Sequence, residues 1–180
     1  MKFKYYENSA GEKFVFNELD NFKDYCKVFL SEETSEIKMK EQYYNSKYNS
    51  LKYYMEPDEN EQEVAKILSK TKNKFFIVYK SIRGTNTIEN LVSYSDLKTT
   101  SKSTQLYNNY GQIICSQPIH LITGKPDYNK TEKYLFNPND TEKYPCEEYI
   151  FEYTWDGKLE SIRHVSNNYW KGWNFLDFET

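Results

Sequence analysis

Apolar positions along this chain come in short bursts, and their period changes from one burst to the next. Lys2 to Glu7 and Lys13 to Asn17 are aromatic runs, with Asn8-Ser9-Ala10-Gly11 between them as turn chemistry. They predict an N-terminal hairpin. From Asn17 the spacing becomes helical: Leu19, Phe22, Cys26, Phe29 and Leu30 share one face, while Lys23, Asp24 and Lys27 take the other. Asn17 and Asp20 have the spacing of a cap. Ile37 and Tyr44 extend the helical stripe, which predicts a second helix from Ser35 to Tyr44. Tyr48, Leu51 and Met55 continue the stripe, but Asn45, Ser46, Asn49 and Ser50 weaken it. A strand around Leu51 to Met55 is the competing reading. Pro57 ends this region. Asp58 then opens a third helix, with Glu61 in the capping-box position and Val64, Ile67 and Leu68 as its apolar stripe.

After Leu68 the pattern is that of strands. Lys74 to Lys80 (KFFIVYK) is a continuous apolar run and predicts a strand covered on both faces. Gly84-Thr85-Asn86 is a turn, and Leu91 to Tyr94 a short strand. Lys98 to Gln105 (KTTSKSTQ) is the most polar segment and predicts a mobile loop. Tyr107 to Thr123 returns to strand character, with Ile113, Cys115, Ile119 and Leu121 on one parity and Pro118 interrupting the ladder. Lys133 to Phe136 is a short strand between loops. The stretch Glu147 to Ser166 carries two strand-like runs around Asp156-Gly157, a pair that tolerates the positive φ of a tight hairpin turn. With those two residues as the turn, Trp155 faces Lys158, Tyr153 faces Glu160, Phe151 faces Ile162 and Tyr149 faces His164. One face then gathers Tyr149, Phe151, Tyr153, Trp155 and Ile162 as the seed of a core. The chain closes on Tyr169, Trp170, Trp173, Phe175 and Phe178. Helices early and strands later predict an α+β fold: an N-terminal hairpin and two to three helices packed on a mainly antiparallel β-sheet, as a single domain over 1–180.

Composition refines this picture. Eighteen Tyr and 11 Phe stand against 38% hydrophobic residues, so the core is expected to be built from rings. The net charge of −3 argues against general nucleic-acid binding. Cys26, Cys115 and Cys146 include no C-x-x-C pair, and the spacing of Cys and His offers no zinc constellation. The N-terminus lacks the apolar region of a secretory signal, and no run approaches the ~20 apolar residues of a membrane span. The expectation is a cytoplasmic protein with reduced thiols and no membrane partner.

Catalytic signals are weak. Cys115 and His120 lie close in sequence, but a regular strand points them apart, and nothing marks a nucleophile loop around them. Pro126-Asp127 followed by Asp156-x-Lys158 has the letters of a PD-(D/E)xK nuclease core, yet Asp156 and Lys158 fall in the hairpin turn. No catalytic residue, metal or cofactor is assigned. The leading expectation is a protein-binding module, an inhibitor or immunity-type protein that blocks a toxin or defence protein by occlusion. Glu56, Asp58, Glu59, Glu61 and Glu63 would steer a basic partner, with Trp173 and Phe178 as anchors. The alternative is a binder or small enzyme for a phosphorylated or nucleotide ligand, held by Arg83, Arg163, Lys98 and Lys102.

Overall fold

The structure is a computed structural model, and it describes residues 2–8, 12–136, 147–164 and 174–176. In these residues the regular structure is almost all strand. In chain order it comprises β1 (Lys2–Asn8), β2 (Lys13–Phe14), β3 (Tyr25–Leu30), β4 (Ile37–Tyr44), β5 (Lys47–Tyr54), α1 (Glu61–Leu68), β6 (Lys74–Arg83), β7 (Asn86–Ser95), β8 (Lys98–Tyr107), β9 (Ile113–Ile119), β10 (Glu132–Phe136), β11 (Glu147–Tyr153), β12 (Leu159–His164) and β13 (Asn174–Leu176). The expected α+β class with two to three helices is therefore overturned. The fold is predominantly β, with one eight-residue α-helix among the described residues.

The chain divides into two compact units. One holds Met1–Lys80 with Leu91–Thr100, the other Ser81–Asn90 with Ser101–Thr180. In the first unit the strand order is β2-β1-β3-β4-β5-β6-β7-β8. The N-terminal hairpin forms as its sequence predicts, with Tyr6 opposite Phe14. The helix expected from Asn17 does not form. A 3-10 turn occupies Phe16–Asn21, and β3 then pairs with both β1 and β4. The helix expected from Ser35 to Tyr44 is β4. The helical reading rested on Ile37 and Tyr44, but Ile37, Met39 and Tyr43 share one strand face, and pairing with β3 and β5 decides for the strand.

The third expected helix is real. Asn60 caps it rather than Asp58, accepting hydrogen bonds from the N–H groups of Gln62 (2.9 Å) and Glu63 (3.2 Å). α1 is the crossover between β5 and β6, which run parallel with Tyr53 opposite Ile77; parallel neighbours need such a connection. Val64, Ala65 and Leu68 cover a core of Met39, Leu51, Phe75, Ile77, Val92 and Tyr94. Burial of each large side chain here contributes about 2 kcal/mol. A second, aromatic cluster joins Tyr6, Phe14 and Tyr25 to Phe22 and Tyr43, and Tyr25 stacks on Tyr43 at 4.8 Å.

In the second unit β8 through β13 follow one another in chain order, each antiparallel to the next. The segment expected as a mobile loop, Lys98 to Gln105, lies within β8. Its threonines and serines are exposed or half-buried and suit a pleated strand although no residue is apolar. The β11–β12 hairpin keeps the predicted pairs Tyr149–His164 and Phe151–Ile162, but a bulge puts Leu159 rather than Glu160 opposite Tyr153. Ile150 and Ile162 are the apolar side chains buried in this unit among the described residues. They lie on opposite faces of the ladder, one paired with Arg163 and the other with Phe151.

Candidate binding surface

The acidic start of α1 has internal duties that its sequence does not announce. Lys38 on β4 is buried and bonds Glu59 at 2.7 Å and Glu56 at 3.0 Å. Its ammonium also lies 4.8 Å from the centre of the Tyr53 ring. Glu59 further accepts from the Tyr53 hydroxyl (2.6 Å) and the Glu56 N–H (2.7 Å). Burial acts to raise the Glu59 carboxyl, but these donors outweigh it and hold the group below its ordinary range. Burial likewise acts to lower Lys38, and its two glutamates turn the net shift upward. Glu61 accepts from the hydroxyls of both Tyr79 and Tyr94. Of the five acids expected to face a partner, Asp58 and Glu63 are the exposed ones. The other three brace the helix against the sheet. Trp173 and Phe178, the expected anchors, lie outside the described residues.

The residues of the anion-binding alternative are not brought together. Arg83 is exposed at the end of β6, and Arg163 stands on β12, six places away in the strand order. Arg163 bonds Glu152 at 2.6 Å and lies 3.8 Å from Glu132, and Ser161 donates to the same Glu152 (2.7 Å). Lys98 and Lys102 are exposed strand residues of β8, in different units. Cys115 is half-buried, and burial pushes its thiol up, which disfavours the nucleophilic thiolate. His120 sits in the loop beyond β9, its Nδ1 accepting from the Thr123 N–H at 3.4 Å. Among the described residues no group of three or more His, Cys, Asp or Glu side chains is placed to hold a metal ion.

The surface with the chemistry of a docking site is elsewhere, at one end of the second unit. Glu132 opens β10 and stands opposite both Ser116 on β9 and Glu152 on β11. The far ends of β9 and β11 therefore emerge side by side. Between them lie the loop 120–127, the 3-10 turn Tyr128–Lys130 and the turn 154–158.

Local bonds fix each of these pieces. The loop is cinched by Ile119 pairing with Pro126 and by the His120 N–H on Lys125 O (2.9 Å). The Asp127 N–H on Pro118 O (2.8 Å) closes it further. Buried Thr131 ties the 3-10 turn back by donating its hydroxyl to Asp127 O (3.0 Å). In the hairpin turn the Thr154 N–H bonds Lys158 O (2.8 Å), and the Gly157 N–H bonds Thr154 O (2.9 Å).

That last pair corrects the expectation for Trp155. The chain leaves the ladder at Thr154, one residue too early for Trp155 to join the core face, and the indole is 82% exposed. Ile122 at the apex of the neighbouring loop is 90% exposed, and Leu121, Tyr128 and Leu159 are exposed with them. The sequence signal for this cluster was present in Leu121-Ile122, two apolar residues between His120 and Thr123-Gly124. The strand parity that Leu121 shares with Ile119 masks this signal, because β9 ends at Ile119.

No family model, curated protein or solved structure matches the chain. The inhibitor or immunity reading therefore finds no relative to support it.

Proposed function

We propose that the protein is a protein-binding module that docks its partner through the apolar end of the second unit and works by covering the surface it binds. The observation that carries this reading is the exposure of Trp155 and Ile122 on two adjoining, internally bonded turns. Tryptophan and tyrosine dominate binding hot spots because they cover large area with few rotatable bonds. Turns already held by their own hydrogen bonds lose little entropy on docking. A large apolar side chain left in water at such a place contributes nothing to folding and is available to a partner.

Asp58 and Glu63, the exposed acids of the expected steering surface for a basic partner, belong to the first unit and have no part in this reading. The test is affinity capture from native cells with the protein and its Trp155→Ser/Ile122→Asp variant, followed by mass spectrometry. A protein retained in stoichiometric amount by the first and lost by the second supports the reading. Equal retention by both removes it.

A further inference from the structure

Three connections of the first unit meet at one end of its sheet. β5 and β6 run parallel, so the β4–β5 turn, 44–47, and the passage from α1 into β6, 69–74, lie at the same end. The β7–β8 turn, 95–98, joins them there. Hydrogen bonds tie the pieces together. The Tyr48 hydroxyl donates to Lys74 O (2.8 Å), and the Asp96 N–H donates to Asn73 O (3.3 Å). The Asn45 N–H bonds the Asp24 carboxylate (2.8 Å), and the Ser46 N–H bonds Lys23 O (2.7 Å).

Lysines gather at this end and are not cancelled. Lys23 is offset by its neighbour Asp24, and Lys72 is taken up by Glu41 at 2.7 Å. Lys47, Lys70, Lys74 and Lys98 remain, all exposed. None of these four enters a salt bridge among the described residues. Within the three connections they face a single acid, Asp96, on a chain whose net charge is −3. Two large side chains stand among them, Tyr44 at 63% exposure and Leu97 at 53%. Leu97 holds φ +64°, a left-handed conformation that such a residue adopts only with strain. Asparagine or glycine suits that turn better, so folding does not account for a leucine there.

We infer that this end of the first unit docks on an anionic lipid surface, with Lys47, Lys70, Lys74 and Lys98 on the headgroups and Leu97 and Tyr44 entering the interface. The surface potential of anionic lipid recruits clusters of four or more basic residues, at roughly fivefold in affinity per lysine. Apolar groups beside them add burial at the boundary of headgroups and acyl chains. Three strand spacings separate β5 from β8, so the charges spread over about 15 Å instead of converging on one phosphate. Lipid is favoured over an acidic protein because protein interfaces are depleted of lysine and enriched in arginine. Both arginines of the chain, Arg83 and Arg163, belong to the second unit. Lipid is favoured over nucleic acid because an aliphatic side chain such as Leu97 offers bases no stacking surface. Peripheral contact of this kind needs no membrane-spanning run, and it is independent of protein docking by the second unit.

The test is co-sedimentation of the full chain with phosphatidylcholine vesicles, with and without phosphatidylserine. The expected result is binding to the phosphatidylserine vesicles at least about tenfold tighter than to phosphatidylcholine alone. That binding should be lost as salt is raised to about 1 M, where the screening length shrinks to about 3 Å. Lys70→Gln/Lys74→Gln/Lys98→Gln should weaken it by about a hundredfold, whereas Lys125→Gln/Lys130→Gln/Lys158→Gln in the second unit should leave it unchanged. Leu97→Asn removes the apolar group but suits the left-handed turn, so vesicle binding should weaken while the urea midpoint does not fall. Equal binding to the two vesicles, or binding to neither, overturns the inference. So does binding that survives the first triple variant or Leu97→Asn. Tighter binding of a polyglutamate peptide or of single-stranded DNA at the same salt, lost in the first triple variant, assigns the end to an acidic protein or a nucleic acid and also overturns it. Partner capture by Trp155 and Ile122 is read separately and bears on the second unit alone.

Discussion

The ring of Tyr128 lies against the backbone of Gly157: a Cβ placed on that glycine would stand 3.5 Å from Tyr128 Cγ. This contact joins the 3-10 turn before β10 to the turn between β11 and β12, and so sets Trp155 beside the neighbouring turn. Gly157 has φ +85°, a conformation that other residues adopt only with strain. The Cβ contact alone is ordinary. Gly157→Ala is therefore expected to cost about 1 kcal/mol from backbone strain, read as a lower urea midpoint, with a shift in Trp155 emission that reports the displaced turn.

Trp155 itself is predicted to matter little for folding. Trp155→Ser removes an indole that is 82% exposed, so its unfolding free energy should stay within about 0.5 kcal/mol of the parent. Partner affinity should fall by about 2 kcal/mol or more, the loss typical of a hot-spot residue. Urea unfolding and a binding isotherm on the same two samples separate the effects.

Lys38 is expected to be the most sensitive ionic residue of the first unit. Its side chain is buried while Glu56 and Glu59 are partly open to water, so Lys38→Met sits between an exposed and a buried ion pair and should cost roughly 2 kcal/mol. Glu59 sets the acid response. Its folded value lies below the ordinary 4.5, so the stability it contributes is present above pH 4.5 and is lost as pH falls through the folded value. Glu59→Gln should be less stable at neutral pH and show a shallower loss on acidification, measured as urea midpoints across that range.

Tyrosines set the alkaline response. Burial is the leading cause that pushes Tyr48 and Tyr53 up to about 12. Burial and the Glu61 carboxylate raise Tyr79 and Tyr94 as well. A raised folded value gives stability that is complete below the ordinary 10 and declines as pH rises toward the folded value. Unfolding free energy should fall steeply between pH 10 and 12, with phenolate absorbance appearing together with loss of the β-sheet signal. Tyr53→Phe should soften the decline.

Parts of this architecture are legible in the chain. The run KFFIVYK and the Asp156-Gly157 turn identified β6 and the β11–β12 hairpin because local chemistry and final pairing agree there. The N-terminal hairpin and α1 were found for the same reason. Leu19, Phe22 and Cys26 satisfy helical spacing, yet Leu19 lies in a 3-10 turn and Cys26 in β3, where pairing on both sides overrides the local period. Ile37 and Tyr44 also share a helical face, but Ile37, Met39 and Tyr43 share a strand face, and pairing with β3 and β5 selects it. KTTSKSTQ carries no apolar signal, and only its neighbours make it a strand. The acids before α1 were legible as a cluster, but the buried Lys38 that takes up two of them lies about twenty residues upstream, beyond any local pattern. Trp155 falls outside the ladder because β11 ends at Tyr153 and the turn 154–158 closes on Thr154 and Lys158, one step earlier than the Asp156-Gly157 signal implies.

The most direct test of the docking surface is site-specific photo-crosslinking in the native cell. A photoreactive amino acid is placed at Trp155, and separately at Glu63 on the exposed side of α1. The prediction is one dominant covalent adduct from position 155, with the same protein that affinity capture retains, and little or none from position 63. An adduct formed from position 63 and absent from 155 would contradict the account and move the docking surface to the acidic start of α1.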